Sequence, residues 1–216
     1  MRKLLWVFTL LTLSTAAWAR CDHPFFPVRE GWVWSYRSSV DNSTYTVDIA
    51  NVSARGFTQR QTFKNFGFES RWTCDSSGLA QPEYIQPRGN QGVQMNLKTR
   101  KASGVVIPQT MRVGATWSYS YEVSGDMKQQ NMTVQVEQSV STTNKVLGQE
   151  SITVPAGRFT AFKVESIMTT RGSMKVGGNN VPLNTTLKTL SWYARGVGLV
   201  KSQFEGGTTE LLSLKR

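Results

Sequence analysis

The sequence predicts an all-β domain built on one strongly curved, half-barrel-like antiparallel sheet, with a two-sheet β-sandwich as the alternative. Three observations predict it. Apolar and polar residues alternate with period two over most of the chain, and helical periodicity is hard to find. Clusters of Gly, Pro, Asn, Asp and Ser punctuate the alternating runs at short intervals. An opening motif, Arg-x-Gly-x-x-Trp-Ser-Tyr, is written twice, first from Arg29 and again from Arg112.

The N-terminus comes first. Met1-Arg2-Lys3 precedes the apolar run "LLWVFTLLTL" and the small-residue stretch "STAAWA", the pattern of a secretory signal peptide over residues 1–19 with cleavage after Ala19. The apolar run is shorter than the roughly 18 to 20 residues of a membrane span. Cys21 lies close to the cut, but Arg20 precedes it and Trp18 stands where a lipidation motif carries Leu. The rest, residues 20–216, is long enough for one domain with a core of its own. No other segment is apolar enough to span a membrane, and the expected location is secreted, in the periplasm or cell envelope.

The chain carries 25 Lys and Arg against 14 Asp and Glu. Such a balance favours anionic surfaces, whether lipid headgroups or envelope polymers. The basic residues are scattered, with Lys98, Arg100 and Lys101 the nearest to a cluster, which is the pattern of a solvated surface. Cys21 and Cys74 are the only cysteines, and an oxidising compartment lets them pair. One His and two distant Cys do not make a metal site.

Strands are read from the alternation: Trp32, Trp34 and Tyr36; Tyr45, Val47 and Ile49; Trp117, Tyr119, Tyr121 and Val123; Met132, Val134, Val136 and Val140; Leu190, Trp192 and Ala194. Turns are expected at Asp41-Asn42, Gly56, Ser77-Gly78, Arg88-Gly89-Asn90, Gly125-Asp126, Pro155-Ala156-Gly157, Gly177-Gly178-Asn179-Asn180 and Gly206-Gly207. The repeat extends beyond its opening motif, because Trp72, Gly78 and Leu79 find counterparts in Trp192, Gly198 and Leu199. Two related halves follow, about 24–98 and 108–216, joined by "LKTRKASGV". In each opening motif the Gly supplies a turn that hands over to a strand. The Trp and Tyr two residues apart then share one face.

Two further stretches carry a resemblance. "ITVPAGRFTAFKVES" and "SWYARGVGLVKSQ" resemble a pattern of bacterial secreted proteins of unknown function, Val-Pro-Ala-Gly-x-Phe-x-Ala-x-Lys-Val followed by Trp-Tyr-x-x-Gly-Val-Gly-Leu-Val. The resemblance implies a curved antiparallel sheet similar to the half-barrel of periplasmic lipoprotein carriers, with no assigned catalytic residues. The chain departs from those carriers in having no convincing helices to plug the concave face.

The sequence offers little chemistry. A triad needs a base, and the sole His, His23, stands beside the cleavage site, where it reads as an exposed or packed terminal residue. Glu69, Asp75 and Glu83 lie within one short region without any feature that makes them converge. No glycine motif cradles a phosphate. The expectation is a non-catalytic binding protein without cofactor or metal. Its candidate ligand residues are Trp34, Tyr36, Trp117, Tyr119 and Trp192, and its ligand a lipid or anionic amphiphile on an aromatic concave face edged by Lys and Arg. Nucleic acid is disfavoured because secretion removes it as a partner. The alternative is an envelope structural or assembly component acting through protein contacts at its sheet edges.

Overall fold

The computed structural model describes residues 21–88, 93–129 and 132–216. The leader read over residues 1–19 lies outside them, as does most of the turn read at Arg88-Gly89-Asn90. Fourteen strands and no helix make up the described residues: β1 (Val33–Ser38), β2 (Thr44–Ala50), β3 (Gly56–Thr62), β4 (Gly67–Asp75), β5 (Gly78–Ala80), β6 (Gln86–Arg88), β7 (Val93–Gly104), β8 (Ile107–Pro108), β9 (Thr116–Gln129), β10 (Met132–Val154), β11 (Gly157–Val176), β12 (Asn179–Ala194), β13 (Gly198–Phe204) and β14 (Gly207–Lys215).

All belong to one antiparallel sheet, in the order β7-β9-β10-β11-β12-β13-β14-β1-β2-β3-β4-β5-β8, with β6 on β4. The predicted curved sheet is the one found. Its path runs through the pairing of the first strand with the last, Val33 opposite Lys215. The path ends at β7 and β8, and only Val105 and Val106 separate these in the chain. A link this short holds the two ends of the sheet within about 10 Å of each other at that point. The sheet therefore rolls up without closing.

One expected turn is corrected. Gly125-Asp126 is no turn but the interior of β9, where Gly125 faces Leu97 on one neighbour and Val136 on the other. A Cβ there would collide with the Asn96 carbonyl, so the glycine marks a bend in a long strand. The stretch 97–105, read as the joint between two halves, lies mostly within β7, which pairs with β9 from Val93 to Gly104. Gly31 and Gly114, by contrast, stand just before their strands at φ of 84° and 82°, the positive values a residue without Cβ reaches cheaply.

One face of the sheet is buried. Along β10, Val136, Val140, Thr142, Asn144 and Val146 are buried, while Glu137, Ser139, Ser141, Thr143 and Lys145 are exposed. In register beside them on β11 stand Val164, Ser166, Met168, Thr170 and Met174. The face divides into two cores. One contains Trp34, Tyr36, Ile49, Phe57, Trp72 and Leu79 and takes in the N-terminal segment. The other centres on Tyr121, Val123, Val136 and Val140, with Met95, Met127, Met168 and Met174 around them. Beyond the end of β13, residues 179–188 of β12 pair, among the described residues, only with β11. Pro182 stands in that free stretch, where the missing N–H blunts an exposed edge.

The N-terminal segment lies across this interior, pinned by the predicted disulfide between Cys21 and Cys74. Phe25 meets Phe162 at 5.1 Å and Phe26 meets Trp72 at 4.9 Å. Of the exposed and packed alternatives read for His23, the packed one is found, since the residue is buried. The Phe25 N–H donates to its Nδ1 (3.1 Å), so the ring proton sits on Nε2, which donates to the Pro108 carbonyl (2.8 Å). Burial lowers the His23 pKa below 6.5, outweighing the Pro108 carbonyl and Asp22, which pull it up. The unfolded chain thus takes up this proton at a pH where the folded chain does not. The contribution of His23 to stability is intact above about pH 6.5 and declines as pH falls from there to the lower folded-state pKa. Thermal melts from pH 7.5 to 5 are expected to show this decline, and His23→Gln should flatten it. An unchanged decline in the variant would place its origin elsewhere.

Candidate functional site

Between β1, β2, β3, the N-terminal segment and the turn before β13 lies a partly open cavity of about 240 Å³. Its walls follow from the alternation. Trp34 and Tyr36 come from β1; Tyr45, Val47 and Ile49 from β2; Gln59 and Gln61 from β3; Trp72 from β4. Phe26 and Pro27 of the N-terminal segment, Val106 and Ile107 at β8, and Tyr193, Val197, Gly198 and Leu199 complete it.

The two rings of the first opening motif are clamped to the turn that follows β12 and to the start of β13. The Trp34 indole N–H donates to the Val197 carbonyl (2.6 Å) and the Tyr36 hydroxyl to the Leu199 carbonyl (2.8 Å). The Gly196 N–H of the same turn donates to Pro24 (2.7 Å), so the turn also holds the N-terminal segment. Val106 accepts from the Trp117 indole (3.0 Å) and donates through its own N–H to Leu79 (2.8 Å). Each opening-motif tryptophan thus spends its N–H on a carbonyl of the cavity wall.

All six tyrosines of the chain gather along this interior. Tyr36 stacks on Tyr45 at 5.3 Å, Tyr119 meets Tyr121 at 5.9 Å, and Tyr121 meets Tyr84 at 5.7 Å. Tyr193 lines the same cavity as Tyr36 and Tyr45. Burial, reinforced by these neighbours, pushes the Tyr193 pKa up to about 12 and raises those of Tyr36 and Tyr121. The phenols stay neutral at ordinary pH. Among the described residues no Lys, Arg, Asp or Glu lines the cavity, so they do not supply the basic rim expected from the sequence there.

Of the five residues named from the sequence, only Trp34 and Tyr36 line the cavity. Tyr119 continues the phenol row and Trp117 supports the Val106 wall. Trp192 lies on the opposite face of β12, with its indole N–H on Glu150 (2.7 Å) and the Lys163 ammonium 5.1 Å from its ring centre. Its neighbour Tyr193 faces the cavity instead. Sequence reasoning also passed over Gln59 and Gln61. Their signal was present in "FTQRQTF", where both share the parity of Phe57 and Phe63.

The carboxylates do not form a site. Glu83 pairs with Arg71 at 3.4 Å. Asp75 accepts from the Ser77 hydroxyl (2.5 Å) and N–H (2.7 Å), and these bonds lower its pKa. Glu69 and Asp75 alternate with Ser70, Trp72 and Cys74 on β4 and so face away from the cavity.

Residues 42–213 match a family model described as DUF3108-like. No curated protein matches the sequence. Two solved structures are similar in fold. One is a protein from Bacteroides fragilis NCTC 9343, provisionally described as exported and with a YmcC-like fold. It is 15% identical at a TM-score of 0.52, over 90% of this chain and 100% of that one. The other is a protein from Parabacteroides distasonis ATCC 8503, provisionally described as a lipoprotein. It is 17% identical at a TM-score of 0.51, over 89% of this chain and 99% of that one.

Proposed function

The chain belongs to the DUF3108-like family, and we propose that it is a non-catalytic binding protein of the cell envelope that takes the apolar chain of a lipid or similar amphiphile into the tyrosine-lined cavity. One observation carries this reading: a partly open, uncharged cavity walled by Trp, Tyr, Val, Ile and Leu, with a few polar groups set among them. Sites for small apolar ligands have this composition. At about 240 Å³ the cavity falls below the roughly 300–1,000 Å³ of sites that enclose a drug-sized ligand. It therefore suits part of a chain, with the remainder along the concave face toward Tyr119 and Tyr121. An envelope location is consistent with the leader-like N-terminus and with the descriptions of the two similar structures. The alternative, an assembly component pairing through the free edge of β12, has less support because Pro182 interrupts that edge.

Protein purified without detergent is expected to carry amphiphile detectable by mass spectrometry after organic extraction. Val47→Trp, which drives a large ring into the cavity from β2, should reduce the recovered amphiphile at least about tenfold while costing no more than about 3 kcal/mol in stability. Wild-type protein that emerges empty, and whose tryptophan fluorescence ignores added lipid, would sink the reading.

A further inference from the structure

We infer that Gln59 and Gln61 are the specificity-determining residues of this cavity and that they select a ligand whose apolar chain carries a neutral carbonyl, an acyl ester or amide. The inference rests on the binding function proposed above and adds the chemical class of the ligand.

The two glutamines occupy successive inward positions of β3. Gln59 stands between Ile49 and Ser70, and Gln61 between Val47 and Phe68. The alternation calls for apolar side chains there, and a carboxamide at such a position is costly unless its hydrogen bonds are made. Gln59 makes one of them, since its Oε1 accepts from the Trp72 indole N–H at 3.0 Å. An indole nitrogen can only donate, so this bond fixes which way the carboxamide points. The Gln59 Nε2, with two N–H donors, is left for something else. No hydrogen bond from either Nε2 is found among the described residues, neither group is sealed from solvent, and both side chains line the partly open cavity. Gln59 thus offers N–H donors fixed in direction, and Gln61, whose carboxamide no such bond orients, can turn its own N–H groups to the same oxygen acceptor.

The charge of that acceptor follows from the rest of the lining. Among the described residues no cationic side chain lines the cavity, and burial holds the Tyr36 and Tyr193 phenols in their neutral form. A carboxylate or phosphate would enter without a counter-charge, at a cost that carboxamide donors alone do not offset. A carbonyl oxygen gains the same two donors without that cost. The carbonyl would sit against β3, with its chain lying against Ile49, Val47, Trp34 and Val106.

The test compares methyl octanoate, nonane and octanoate at pH 8 as probes, with affinities read by calorimetry and by quenching of cavity tryptophan fluorescence. The wild-type protein is expected to bind methyl octanoate about 5- to 10-fold more tightly than nonane, and octanoate most weakly of the three. Gln61→Met, close in size, should abolish the ester's advantage and leave nonane affinity unchanged or improved. Gln59→Glu keeps an acceptor for Trp72 but removes the donors, and should have the same effect on the ester. Melting curves establish that each variant is folded, and either variant suffices. Equal binding of the three probes by the wild-type protein, or an ester preference that survives in the folded variants, overturns the assignment while the cavity remains a binding site. If not even nonane binds, the binding function itself fails and the assignment fails with it.

Discussion

Replacing Cys21 and Cys74 together by Ser is expected to lower the free energy of unfolding by about 4 kcal/mol, the chain-entropy value for a loop closed over 53 residues. For a domain of this size that corresponds to a fall in Tm of about 10 °C. The effect should approach its full value because Cys21 is fully buried and Cys74 nearly so, and because little else ties down the segment ahead of β1. Its one isolated bridge joins His23 to Phe26, the Arg29–Asp22 ion pair lies within it, and its ties to the rest are chiefly the bonds from His23 to Pro108, from Gly196 to Pro24 and from Asn51 to Glu30 and the packing of Phe25, Phe26 and Val28. The segment also supplies Phe26 and Pro27 to the cavity wall, so the double variant should lose ligand binding well before it unfolds. Urea unfolding of oxidised, reduced and double-Ser protein measures the first effect. A difference below about 1 kcal/mol would mean that the segment is held by its packing alone.

Alternation was legible wherever the sheet buries one face only. In β1 it placed Trp34 and Tyr36 correctly, and in β10 it separated Val136 and Val140 from Glu137 and Ser139. It failed at the end of β12, where Ser191, Trp192 and Ala194 are all buried. The outer side is covered there as well, by Glu150 of β10 and Lys163 of β11 reaching over the Trp192 ring. When both faces are buried, period two no longer says which one looks into a cavity. Gly125 misled for a different reason: a glycine that bends a strand and a glycine that ends one look alike in sequence, and only the paired registers of β7 and β10 separate them. Gln59 and Gln61 escaped notice because a polar residue in an alternating run reads as outward-facing by default. Their parity with Phe57 and Phe63 contradicted that default. A polar residue that breaks the pattern is the natural place to look for recognition, since the one bond from Trp72 to Gln59 accounts for part of one carboxamide and for none of Gln61.

Trp34→Ala is the second substitution with a large expected effect, a loss of about 3–5 kcal/mol. Three contributions add to it. The ring is buried at the centre of the larger core, so its removal opens a void contiguous with the existing cavity. Its indole N–H satisfies the buried Val197 carbonyl, which would be left without that partner. It also joins β1 to a turn 163 residues away, a contact that helps hold the rolled sheet around its interior. Tyr36→Phe removes only the hydroxyl bond to Leu199 and should cost about 1 kcal/mol. Trp34→Phe should fall between them, since it keeps most of the ring and loses the donor. Denaturant unfolding of the three variants gives the order, and a Trp34→Ala loss no larger than that of Tyr36→Phe would show that the core closes around the missing ring. The ligand assay then separates packing from recognition. In Trp34→Ala the enlarged cavity should admit longer chains while Gln59 and Gln61 still prefer the ester, because the donors stand on β3 and the lost ring on β1.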